Sequence, residues 1–166
     1  MSVSRSRFLR LTSTSAVAAA AAATVAATEE QTASAAASHV TIGKASSFVV
    51  GRPVDFNFPD ESSPAIAVRL SHQIDGGVGP NHDIVAYSRI CVHKGCPVNY
   101  DSNREIFVCP CHYSVYDASK TGEVVIGHAT TKLPRIVLHY DAASGEISAA
   151  GVDGLLYGRF NDEALG

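Results

Sequence analysis

The sequence predicts an all-β domain, an antiparallel β sandwich with a small subdomain formed by two hairpin loops that carry cysteine and histidine. Three observations predict it. Short runs rich in Val, Ile, Phe and Tyr recur from Val40 onward, with Gly, Pro, Asn and Asp between them. No stretch of the body keeps a helical period of apolar residues. All four cysteines fall between residues 91 and 111, and crowding of that kind points to metal or disulfide chemistry rather than to packing.

The first 38 residues are not part of that fold. Arg5, Arg7 and Arg10 precede residues 11–27, which run through Leu, Thr, Ser, Ala and Val without a charge. A basic start before a weakly apolar stretch reads as an export signal. It resembles a twin-arginine signal, with the departure that Ser6 separates Arg5 from Arg7. That route carries folded cargo, which suits a protein that acquires a metal group before export. A membrane tether is the competing reading, but about 17 residues rich in Ala and Thr sit at the lower limit for a span. Ala-x-Ala-like sites occur near Ala27 and around Ala35–Ala37. We therefore divide the chain into 1–38, an export signal or N-terminal tether, and 39–166, the folded domain. The part that bears the cysteines and histidines is about 86–130.

Within the body, Phe48–Val50 and Val54–Phe58 flank Gly51-Arg52-Pro53. Ala65–Leu70 and Asp83–Tyr87 follow, separated by a Gly-rich loop over residues 75–82. Glu105–Val108 leads into the second cysteine pair. Arg135–Tyr140 and Glu146–Ala150 flank the turn-rich Asp141–Gly145 and read as a hairpin. The net charge is −3. Without residues 1–38, which hold three arginines and two glutamates, ten basic residues face fourteen acidic ones. A mildly acidic body lacks the basic footprint of a nucleic-acid binder.

The chemistry-bearing residues form two half-motifs, Cys91-Val92-His93-Lys94-Gly95-Cys96 and Cys109-Pro110-Cys111-His112. Each half offers a Cys and a His at close spacing, plus one extra Cys. Thiolates bind iron–sulfur clusters, and two histidines can replace two thiolates on one iron. Cys96 and Cys111 would then be left over and free to pair. Two other readings use fewer of these residues. A structural zinc on two Cys and two His leaves two cysteines unexplained, and two plain disulfides leave His93 and His112 idle. The sequence offers no nucleophile–base set, so it holds no catalytic residue. His39, His72, His82 and His139 read as solvated, locally bonded or packing side chains. His128, Lys94 and Tyr113 lie close enough to the motifs for contact with a partner.

Both half-motifs are complete in the form C-x-H-x-G-C and C-x-C-H, and on them the chain resembles the Rieske family. That resemblance implies a Rieske-type fold and one 2Fe–2S cluster. It implies Cys91 and Cys109 on one iron, His93 and His112 on the other, and a Cys96–Cys111 disulfide. It also implies redox tuning by hydroxyls, with Ser114 reaching a bridging sulfide and Tyr116 a cysteine sulfur. Tyr113 departs from the glycine that the family's second box carries, and Gly127-His128-Ala129 lacks the prolines expected over the cluster.

A longer resemblance runs from about Ser62 to Gly158. It is carried by Ser63–Val68, Gly76–Asn81, Asp83–Ser88 and Gly151–Gly158, which look like the small subunit of arsenite oxidase. This implies an electron-transfer subunit of a periplasmic oxidoreductase. The implied partners are a large molybdopterin iron–sulfur subunit and, as acceptor, a c-type cytochrome or cupredoxin. A tethered N-terminus would add peripheral association with the membrane. The small subunit of an iodate-reductase-like enzyme, with electron flow reversed, and the Rieske subunit of a respiratory bc complex are the alternatives.

Overall fold

A computed structural model describes residues 39–158. The expectations for residues 1–38 lie outside the described residues, and among those described no helix is long and apolar enough to cross a membrane. The described chain has ten strands: β1 (Val40–Lys44), β2 (Val54–Asn57), β3 (Pro64–Arg69), β4 (Ile84–Ser88), β5 (Asn99–Asp101), β6 (Ile106–Val108), β7 (Val115–Asp117), β8 (Glu123–Ile126), β9 (Arg135–Asp141) and β10 (Glu146–Asp153). Among the described residues the one helical piece is a 3-10 turn at Ala45–Ser47.

The strands make two antiparallel sheets. Six form a base in the order β1-β10-β9-β4-β3-β2, and four form a smaller sheet in the order β5-β6-β7-β8. The predicted hairpin is the β9–β10 pair. Its turn closes with the Gly145 N–H on the Asp141 carbonyl at 2.7 Å.

Side-chain alternation along β3 and β4 explains how the sheets join. Ala65, Ala67, Ile84 and Ala86 point to one face, where all six base strands contribute to a single apolar core around Phe58, Ile136 and Ile147. Ile66, Val68, Val85 and Tyr87 point to the other, where they meet Phe107 and Tyr116 of the small sheet. The central strands are thus apolar on both sides, and the run Ile84-Val85-Ala86-Tyr87 is buried throughout. Each large side chain so buried contributes about 1.5–3 kcal/mol. Tyr87 also carries a polar link: its hydroxyl donates to the Ala118 carbonyl at 2.7 Å. At the rim, Glu105 of the small sheet's turn accepts the Ser71 N–H and lies 3.4 Å from His72.

Two expectations change. Phe48–Val50 is not a strand. Phe48 is a core residue, and only Val50 makes a bridge, to Arg69. Gly51 and Pro53 break the run before a ladder can form. The sequence reading assigns no strand to β1, β5, β7 or β8. β1 has five residues, and the other three have three or four each.

Candidate metal centre

The two half-motifs sit on two turns of the same build. The first connects β4 to β5. It is pinched by an Ile90–Pro97 bridge and so is a hairpin of a single bridge rather than the tip of a long one. The second closes the β6–β7 hairpin. In the first, the N–H of Cys91 donates to the carbonyl of Cys96 and the N–H of Gly95 to that of Cys91, both at 2.9 Å. In the second, Cys109 donates to Ser114 at 2.8 Å and Tyr113 to Cys109 at 3.0 Å. The fifth residue of each turn lies in the left-handed region, Gly95 at φ 75° and Tyr113 at φ 56°.

Glycine suits that conformation, and at Gly95 a β-carbon would also crowd the ring of Tyr157, at 2.5 Å, which would have to move aside. At position 113 a tyrosine bears the strain, with its side chain 72% exposed. A non-glycine residue in this region costs on the order of 1 kcal/mol. Tyr113→Gly is therefore expected to stabilise the disulfide-intact domain by about 1 kcal/mol in denaturant unfolding. An unchanged or lower midpoint would mean that the tyrosine ring contributes as much as its backbone costs.

These turns bring every motif residue to one end of the small sheet. Cys91 and Cys109 are reduced and each 1% exposed, inside the apolar core that the two sheets share. Cys96 and Cys111 are joined in a disulfide that ties the two turns together. The rings of His93 and His112 meet edge to face with centroids 4.8 Å apart. His128, which the sequence places in the segment expected over the cluster, stacks on His93 at 5.4 Å. The other histidines lie apart: His39 bonds Ser148, and His82 bonds the Gly77 carbonyl.

The surroundings suit thiolate sulfurs and neutral imidazoles. Burial pushes the Cys91 thiol up, but the Tyr116 hydroxyl, the N–H groups of His93 and Lys94 and the nearby Cys109 thiol outweigh it and hold it below its ordinary value. Burial keeps the Cys109 thiol above its usual value, against the N–H groups of Cys111 and His112. The two turns thus aim matching pairs of N–H donors at their sulfurs. Burial, with His112, His128 and Lys94 nearby, pushes the pKa of His93 down, toward the neutral form that binds metal. The Nδ1 of His93 is buried and has no hydrogen-bond partner, a costly state unless something else binds it.

Two hydroxyls point the same way. Tyr116 is fully buried and its Oη lies 3.1 Å from Cys91 Sγ. Once that sulfur is a thiolate, the phenol must be the donor. Ser114 is also fully buried, and its Oγ accepts the N–H groups of His128 at 3.2 Å and Ala129 at 3.0 Å. Both accepted bonds come from backbone donors, so the hydroxyl proton remains for a further acceptor. Ser114 therefore also holds the covering segment at residues 127–129, a role that the sequence did not show. The Sγ atoms of Cys96, Cys109 and Cys111 lie within 4.8 Å of one another. Two of those sulfurs are oxidised, so that trio is not a ligand set.

The profile of the Rieske [2Fe-2S] domain matches residues 38–137. A curated relative, iodate reductase subunit IdrB of Denitromonas iodatirespirans, is 38% identical over 128 residues, covering 75% of this chain and 68% of the relative. IdrB of Pseudomonas sp. (strain SCT) is 40% identical, covering 70% of this chain and 62% of the relative. Among solved structures, the soluble domain of Rieske protein II (soxF) from Sulfolobus acidocaldarius shares the fold at TM-score 0.64. It is 23% identical and covers 74% of this chain and 82% of that one. The chain belongs to the Rieske family: it is an electron-transfer subunit of the oxidoreductase type and carries one 2Fe–2S cluster. The residues present fit that group. Two buried thiols with inward N–H donors, paired imidazoles with a partnerless nitrogen, and two hydroxyls with protons to give are the donors a cluster of two Cys and two His needs.

Proposed function

We propose that Cys91 and Cys109 hold one iron and His93 and His112 the other, with Ser114 and Tyr116 tuning the potential. The cluster supplies reversible one-electron transfer. The chain's residues bury its sulfurs, orient the imidazoles and give hydroxyl protons to sulfur. The observation that carries this reading is Tyr116 against Cys91 at 3.1 Å. A donor to sulfur stabilises the reduced state more than the oxidised one and raises the potential. If that bond differs by roughly 1–2 kcal/mol between states, Tyr116→Phe lowers the midpoint by about 40–90 mV, since about 59 mV is tenfold for one electron. The wild-type value is expected in the upper half of the span of about −150 to +300 mV. Voltammetry checks both, and a shift within about 10 mV would mean that the phenol does not act on the cluster. Ser114→Ala is expected to lower the potential too, but it also frees two N–H groups, so Tyr116→Phe is the cleaner variant.

The protein's place in a larger assembly is also a proposal. We infer a Rieske small subunit of a molybdenum oxidoreductase of the kind that includes arsenite oxidase and iodate reductase, exported to the periplasm by the signal in residues 1–38 and coupled to a c-type cytochrome or cupredoxin. Alignment of most of the body with iodate reductase subunits supports this, as do the stretches that resemble arsenite oxidase. The surface around the imidazoles supports it too. Tyr113, Val125 and Ile126 are exposed there, and Lys94 is the only charged residue in 90–98, 109–116 and 124–130. An apolar rim of that kind suits a lasting subunit contact.

Purification of the tagged chain from its native source is expected to recover a large molybdenum subunit; recovery with cytochrome b alone would favour the bc complex. Substrate decides direction in the recovered complex. Arsenite reduces the cluster if the enzyme is an arsenite oxidase, and iodate oxidises the pre-reduced cluster if it is an iodate reductase.

A further inference from the structure

Three sulfurs meet beneath the two turns. Cys96 and Cys111 are joined, and Cys109 Sγ lies within 4.8 Å of both. A reduced, buried cysteine is thus held beside a disulfide. Attack of a thiolate on a disulfide sulfur passes the bridge on without any oxidant or reductant. Fixed proximity makes the attack intramolecular, with a high effective concentration. A sulfur bound to iron is not free to attack, so the cluster would protect the bridge.

We propose that Cys109 attacks the Cys96–Cys111 bridge when the cluster is lost, so that the empty chain isomerises to a form that has given up a cluster ligand. The step balances. Cys109 gives up its proton and its sulfur bonds to one bridge sulfur, while the bond between Cys96 and Cys111 breaks. The departing cysteine leaves as a thiolate and takes up a proton. One disulfide and two thiols stand on each side. The product holds Cys109 in a bridge with Cys96 or Cys111, and it cannot take up a cluster until reverse exchange or a thiol reductant frees Cys109. What is said of protection rests on Cys109 as an iron ligand; the exchange itself rests on the sulfur geometry.

The test starts from the exported holoprotein. Iron is stripped with a chelator, anaerobically and without thiol reductant; the chain is acid-quenched, alkylated and cut with trypsin. Cleavage after Arg89, Lys94, Arg104 and Lys120 puts Cys91 in one peptide, Cys96 in the next and Cys109 with Cys111 in another. Fragmentation of the linked peptides then tells Cys109 from Cys111. The expected result is a bridge containing Cys109, with Cys111 or Cys96 alkylated, growing at the expense of Cys96–Cys111. Untreated holoprotein shows only Cys96–Cys111. A stripped chain that keeps that bridge throughout, with Cys91 and Cys109 both alkylated, overturns the inference. Cys109→Ser is expected to keep Cys96–Cys111; exchange in that variant would place the nucleophile at Cys91 and overturn the assignment. Iron content of the same variant tests the ligand reading separately, since a full cluster in Cys109→Ser sinks that reading and leaves the exchange result standing.

Discussion

Cys91→Ser is expected to give a colourless, iron-poor chain with lower thermal stability than the wild type. Cys91 lies in the core shared by the two sheets, 1% exposed, with Tyr116 and two backbone N–H groups turned toward its sulfur. Those donors suit a sulfur that carries negative charge. A serine hydroxyl is smaller, is a poorer donor to iron and offers Tyr116 a neutral acceptor in place of a thiolate. Metal binding in a small domain is also folding free energy, so the loss of the group shows as a loss of stability. Iron and sulfide analysis with visible absorption reads the first effect, and thermal unfolding reads the second. A full cluster in this variant would remove Cys91 from the ligand set.

The second large effect belongs to the disulfide. Cys96 and Cys111 are 15 residues apart in the chain, and a closed loop of about that length stabilises a domain by about 3 kcal/mol, mostly by restricting the unfolded chain. The double variant Cys96→Ala with Cys111→Ala keeps all four proposed ligands. It is expected to assemble the cluster, to unfold at lower denaturant by about 2–4 kcal/mol, and to lose its colour faster in chelator. The backbone hydrogen bonds that close each turn do not involve the Cys96 or Cys111 sulfurs, so assembly is expected to survive. A midpoint equal to that of the wild type would mean that the bridge constrains nothing the folded turns do not already hold.

Much of this was legible in the sequence. The long strands and the β9–β10 hairpin were visible because apolar runs and turn residues mark them. The motif spacing placed Cys91, His93, Cys109 and His112 as one set, and the structure brings all four together with the Cys96–Cys111 bridge beside them. The short strands escaped because three residues such as Val115-Tyr116-Asp117 carry no readable period; they are strands because neighbours pair with them. Phe48–Val50 misled because its apolar content serves the core through Phe48 rather than a ladder. Tyr113 was visible as a departure from glycine, but its left-handed backbone was not. The second role of Ser114 could not be read at all, because its bonds to His128 and Ala129 span 14 and 15 residues. The stacking of His128 on His93 depends on the same contact.

The central claim is a cluster of two irons and two sulfides held by two cysteines and two histidines. Pulsed electron paramagnetic resonance of the reduced protein, with and without 15N-histidine, tests it most directly. The account predicts a half-spin signal coupled to two histidine nitrogens, both replaced on labelling and one lost in His112→Cys if that variant assembles a cluster. A reduced signal with no histidine coupling, or a colourless chain that holds zinc and gives no signal, would contradict it.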